Sequence, residues 1–256
     1  MRATHIEIDG HPRDTLACIV SMPEWCWGAE HGVNEACVAI GNETIYTTLD
    51  PRQAPDGLIG MDLVRLVLQR ADTATGAVAL ISDMIDRHGQ GGSGHDTRDG
   101  RRPRPYWSSF LVADPAEAWV VETSGNVVES MRVEATWATS NRTTIPAFDA
   151  AHRHPRQPVE RLVDPRLEAS RQVLARTPVS VNDLREHLSS HEGGASGWTV
   201  CMHATDGGEV VEQTTASMVV ELGTDEWTAW CAQGSPCTEP WIPVRSSEMG
   251  RLVTGR

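Results

Sequence analysis

The sequence predicts an α+β fold arranged as an αββα four-layer sandwich, two stacked sheets between helical layers. Three observations predict it. Apolar residues recur at helical spacing in two separate blocks, residues 57–88 and 165–190. Between and after those blocks lie short apolar runs divided by tight turns, the pattern of antiparallel strands. The order is therefore strand, helical pair, strand meander, helical pair, strands. Helices grouped apart from strands indicate α+β, not alternating βαβ. At 256 residues one large domain, 1–256, is expected, with enough chain to bury a sizeable core.

Each element has its own signal. Residues 19–22 and 37–40 are short, apolar and flanked by Pro or Gly, as strands are. Met61, Val64 and Leu68 recur at i, i+3 and i+7, widened by Leu63, Leu66 and Val67. A stripe that broad predicts a helix set deep against a sheet. A second helix is expected over 75–88, with Val78, Ile81 and Ile85 facing one way and Gly89 placed to stop it. Residues 109–113 and 118–121 flank Asp114-Pro115-Ala116-Glu117, a type I turn sequence, and Ser124-Gly125-Asn126 turns again into 127–133. The polar stretch 147–158, with His152 and His154, is expected to be a solvated connection. Helices return at 165–176 and 181–190, the latter with Ser180 as N-cap. Strands are expected at 198–203, 209–213, 217–222 and 227–232.

Charge narrows the function classes. Twenty-two Lys and Arg stand against 35 Asp and Glu, a net of −13, which disfavours a nucleic-acid partner. No apolar run reaches the ~18–20 residues of a transmembrane helix, so no membrane partner is expected, and the expected location is cytoplasmic. The six cysteines show no CxxC pairing and read as reduced core thiols. Cys201 and His203 would share a strand face, but the sequence shows no second ligand pair beside them. No metal and no cofactor are expected, and His203 is read as a satisfied core histidine. The glycine-rich loop 89–105, with its arginines, is either a disordered surface loop or a backbone able to approach a ligand closely.

The stretch from His31 to Glu43, His-Gly-Val-Asn-Glu-Ala-Cys-Val-Ala-Ile-Gly-Asn-Glu, is the most informative. It reads as a tight turn at His31-Gly32 carrying the Asn34 amide, followed by a buried strand. It closely resembles the signature of the secernin-like, C69-type dipeptidases, which belong to the N-terminal nucleophile (Ntn) hydrolases. Further family-like segments follow in order: 60–66, 89–92, 109–115, 118–123, 140–142, 201–203, 214–219 and 235–237.

The resemblance implies an Ntn-type sandwich and hydrolysis of small peptides, dipeptides above all. An N-terminal cysteine thiolate attacks the carbonyl and its own α-amine takes the proton. Asn34 is then the expected oxyanion-hole donor, and Asn141, in Ser140-Asn141-Arg142, the residue that positions nucleophile or substrate. Read without the family, Asn34 caps a turn and Asn141 is a turn residue. The family's leading Cys and its N-S-D-R-like run have no counterpart here, since the chain starts Met1-Arg2-Ala3-Thr4. The expectation is therefore a domain lacking its N-terminal strands and its nucleophilic Cys, inactive as written. The alternative is a non-catalytic Ntn-fold protein that binds peptides or a partner. Homo-oligomer formation is left open.

Overall fold

A computed structural model describes residues 1–10, 14–98 and 100–249. The chain divides into two compact units: Met1–Glu134 with Asn141–Gln157, and Ala135–Ser140 with Pro158–Arg256.

The first unit is built on one six-stranded antiparallel sheet. Its strands are β1 (Cys18–Ser21), β2 (His31–Asn34), β3 (Ala39–Ile45), β4 (Trp107–Ala113), β5 (Ala118–Ser124) and β6 (Val127–Arg132), and they lie side by side in that order. Every neighbour pair is antiparallel, so the sheet is a meander interrupted once, between β3 and β4. The interruption holds two helices, α1 (Gly60–Leu68) and α2 (Ala74–His88). The Asp62 side chain accepts from Ile59 N–H at 3.3 Å and so caps the start of α1. Thr73 caps α2 by accepting from Gly76 N–H at 3.1 Å. Gly89, at φ +67°, ends α2 in a conformation that L side chains rarely adopt.

The core follows from the predicted stripe. Leu63, Val64, Leu66, Val67 and Leu68 of α1 and Ala74, Ala77, Ile81 and Ile85 of α2 are fully buried. They meet Val38, Ile40, Phe110, Val112 and Val121 from the sheet in one cluster. The Asp114 turn forms as its sequence predicts. Asp114 Oδ1 accepts from Ala116 and Glu117 N–H, and Oδ2 accepts from Ala74 N–H at 2.7 Å, pinning the turn to the start of α2.

Two expectations change in this unit. His31 and Gly32 are not a turn but the first half of β2. The turn comes after Asn34, where Cys37 N–H donates to Asn34 O at 3.1 Å and Cys37 takes φ 61°. Gly32 is required for another reason: a Cβ there would lie 2.3 Å from the Ile19 carbonyl oxygen on the paired strand. The supposed connection 147–158 contains a helix, α3 (Pro146–His152), because Pro146 suits a first helical turn and Phe148 buries on one side. In the loop 89–105, two glycines allow close approaches: a Cβ on Gly91 would fall 1.9 Å from the Pro55 oxygen, and one on Gly94 2.4 Å from the Tyr106 ring.

The second unit holds α4 (Val159–Leu162), α5 (Asp164–Leu174) and α6 (Val181–Leu188). Ser180 and Asp183 form a reciprocal cap at the start of α6. A hairpin, β7 (His203–Asp206) with β8 (Glu209–Gln213), follows. A three-stranded antiparallel sheet comes last, made of β9 (Ala216–Leu222), β10 (Trp227–Gln233) and β11 (Ile242–Arg245) in the order β11-β10-β9. The strand expected at 198–203 is mostly irregular, and β11 was not foreseen, because its Pro243 disguises an edge strand. Grouped helices and wholly antiparallel sheets make the chain α+β. No helix among the described residues is long and apolar enough to cross a membrane.

Candidate functional site

Asn34 sits at the end of β2 and is fully buried. Its side-chain oxygen accepts from Ala36 N–H (3.1 Å) and Val38 N–H (2.9 Å). Its amide donates to the Leu68 carbonyl (3.0 Å) and the Ala71 carbonyl (2.8 Å). The residue therefore clamps the β2–β3 turn to the unsatisfied carbonyls at the end of α1. An amide has two donor hydrogens, and both are spent on backbone. Through these four bonds the side chain acts as a turn clamp, as asparagine readily does.

Asn141 lies elsewhere, at the far end of β3. Its Nδ2 donates to Glu43 Oε2 at 3.3 Å and to the Thr44 carbonyl at 3.1 Å. Gln157 Nε2 donates back to the Asn141 carbonyl at 2.7 Å. Glu43 is in turn close enough to Glu30 to act on its ionisation. Asn42 Nδ2 donates to Glu30 Oε2 at 3.1 Å, and Asn42 N–H to the Glu30 carbonyl at 3.0 Å. Burial, reinforced by the Glu43 carboxylate and partly offset by the Asn42 amide, lifts the Glu30 pKa from the usual 4.5 to about 7. A carboxyl set near neutrality can exchange a proton at working pH, which marks a candidate site.

A thiol and a phenol share this neighbourhood. Cys26 is buried with Ile59, Met61 and Tyr106, and its sulfur lies 3.6 Å from the Gly28 carbonyl oxygen. Burial, then the charges of Asp62 and Glu30, push its pKa up to about 12. Burial also raises the Cys18 thiol. Neither is held as the thiolate that a nucleophile must be. Tyr106 is likewise kept protonated, by burial and then by Glu30. Asp62 accepts from Thr4 Oγ1 at 2.6 Å and Thr4 N–H at 3.2 Å, which ties the first residues of the chain to the start of α1.

A basic pocket of about 370 Å³ opens just beyond β3, where the chain runs on through Tyr46 to Arg52. Its wall carries Arg52, Arg104, His154 and Arg156 against a single acid, Asp50. Arg52 is paired with Asp50 at 2.7 Å. Arg104 Nε donates to Tyr46 Oη at 3.2 Å. The other wall is fixed by Thr48 N–H donating to the His152 carbonyl at 2.9 Å, at the end of α3.

No family model matches this chain. Among solved structures it is similar to penicillin V acylase from Agrobacterium tumefaciens, at 14% identity and a TM-score of 0.46, over 86% of this chain and 67% of that one. A likeness this remote assigns no activity.

The fold thus joins Asn141 to Glu43 and Glu30 and leaves Asn34 apart. Glu30 was missed because it precedes the motif, and Glu43 because it closes it; the paired "Asn-Glu" at 42–43 was the available signal. Among the described residues, a group able to hold a metal ion lies in the second unit. It consists of His191, Cys201, His203 and Cys237, whose ligand atoms all fall within 4.8 Å of one another. The Cys201–His203 pair thus has a second pair of candidate ligands beside it, which its sequence neighbourhood did not show.

Proposed function

We propose that this chain belongs to the amide hydrolases of the N-terminal nucleophile class, with dipeptides as substrates. The observation that carries the reading is the polar constellation at the end of β3, in which Glu43 holds the Asn141 amide and Glu30 stands near neutrality beside them. The family-like segments of the sequence point to the same class. In this reading a cysteine with a free α-amine attacks the peptide carbonyl, and that amine accepts the thiol proton. Asn141 orients the reacting groups, and Glu30 gives or takes a proton. The adjacent pocket suits a dipeptide: its volume lies within the range of small-molecule sites, and guanidinium groups recognise a terminal carboxylate.

A second reading, peptide binding without cleavage, draws on two observations. The Cys18 and Cys26 thiols are raised, and the Asn34 donors are committed to backbone. Two measurements on purified protein separate the readings. Hydrolysis of a dipeptide panel is followed by chromatography, and binding of the same dipeptides by calorimetry. Each is done for this chain and for a form extended at its N-terminus so that it begins with a cysteine, the cysteine-led form. Cleavage by the cysteine-led form supports the hydrolase. Binding by both forms with cleavage by neither supports the second reading, and neither binding nor cleavage defeats both.

A further inference from the structure

We propose that His191, Cys201, His203 and Cys237 form a zinc site that staples the second unit together. His203 Nε2 lies 3.4 Å from Cys201 Sγ and 3.3 Å from Cys237 Sγ. The His191 and His203 rings meet edge to face, with centroids 5.1 Å apart. All four ligand atoms lie within 4.8 Å of one another. Zinc bonds of about 2.3 Å to sulfur and about 2.0–2.1 Å to nitrogen, at tetrahedral angles, put sulfur and nitrogen roughly 3.6 Å apart. The two sulfur–nitrogen separations are already close to that value. Two thiolates and two imidazoles are the donor set of tetrahedral zinc.

The backbone brings these residues together deliberately. Cys201 N–H donates to the Ser190 carbonyl (2.8 Å) and Val200 N–H to the Glu192 carbonyl (2.9 Å), which sets His191 beside Cys201. His203 begins β7, and Gly197 lets that strand turn back: a Cβ there would lie 2.0 Å from the His203 oxygen. Cys237 is presented by the turn after β10, where Thr238 and Glu239 N–H both donate to the Ser235 carbonyl. Ser189 Oγ donates to the Pro236 carbonyl at 2.9 Å and ties that turn to the end of α6. The ligands thus come from separate stretches that only the fold unites. Their spacing in sequence, ten, two and thirty-four residues, gives none of the short paired patterns by which zinc sites are recognised. Four protein ligands leave no open coordination position, so the role is structural, not catalytic. Each thiol loses its proton to solvent as the metal binds.

The test uses the whole purified chain. Zinc content is measured after desalting, and the metal-free chain is titrated with cobalt(II) as a spectroscopic probe. The expected results are about one zinc ion per chain and, with cobalt, the intense visible bands of a tetrahedral ion with a thiolate charge-transfer band. His191→Ala, at an exposed ligand, is expected to weaken cobalt binding by at least about tenfold while the metal-free chain unfolds as before. Cys201→Ser and Cys237→Ser are each expected to reduce the charge-transfer intensity, and the double variant to abolish it. Trace metal only, an octahedral cobalt spectrum, or a Cys201–Cys237 disulfide in protein purified with zinc present would each overturn the proposal.

Discussion

The Asn141 side-chain amide donates to the Glu43 carboxylate at 3.3 Å, across 98 positions of sequence. The pair joins the segment after β6 to the middle of the sheet. If Asn141 orients reacting groups, its loss should slow chemistry more than it weakens binding. In the cysteine-led form, Asn141→Ala and Glu43→Gln should each lower kcat by roughly a hundredfold, since small misplacements of reacting groups cost about that much. KM should change far less. Steady-state kinetics on one good dipeptide decide it; a rise in KM with kcat intact would make the pair a binding contact.

Adjacent residues Glu30 and His31 pull stability in opposite directions with pH. The Glu30 pKa is raised to about 7, so the folded chain keeps a proton that the unfolded chain releases above about 4.5. Its contribution is present at acid pH and is lost as pH rises through 7. Burial lowers the His31 pKa from 6.5 to about 4. Its contribution is present above 6.5 and is lost as pH falls through 4. The two nearly cancel between about 4.5 and 6.5. Glu30→Gln should therefore stabilise the chain at pH 8 by up to about 3 kcal/mol, with little effect at pH 5. It should also leave a variant that loses stability steeply on acidification. Urea unfolding at the two pH values measures this, and an equal change at both would refute the assignment.

Asn34 clamps the β2–β3 turn, and its loss tests that clamp. Asn34→Ala would strand the Leu68 and Ala71 carbonyls and the Ala36 and Val38 amides in a buried place. The expected cost is about 3 kcal/mol in urea unfolding. Asn34→Asp keeps the acceptors but turns a buried charge toward two carbonyl oxygens, and should cost more. Cysteine-led protein that stays folded should keep its kcat in both variants. A large fall in kcat without loss of stability would restore the oxyanion role.

Much of the fold was legible because local signals and packing agree. The α1 stripe, the α2 stop at Gly89, the Asp114 turn and the Ser180 cap all appear where residue type demands them. The misplaced turn at His31-Gly32 shows the limit. Glycine there serves a close approach to the neighbouring strand, and sequence does not distinguish that from a turn. The site was less legible for a related reason. Two asparagines that serve different partners look alike until the fold shows those partners. Asn34 finds its partners at the end of α1, and Asn141 finds Glu43. The Cys201–His203 pair looked incomplete because His191 and Cys237 arrive through loops whose path depends on the folded unit.

The most direct measurement compares dipeptide hydrolysis by this chain and by its cysteine-led form, assayed side by side at equal concentration. Turnover is expected from the cysteine-led form alone, abolished when that leading cysteine becomes serine and blocked when its α-amine is acetylated. Equal hydrolysis by both forms, or none by the cysteine-led form when it is demonstrably folded, would contradict that expectation.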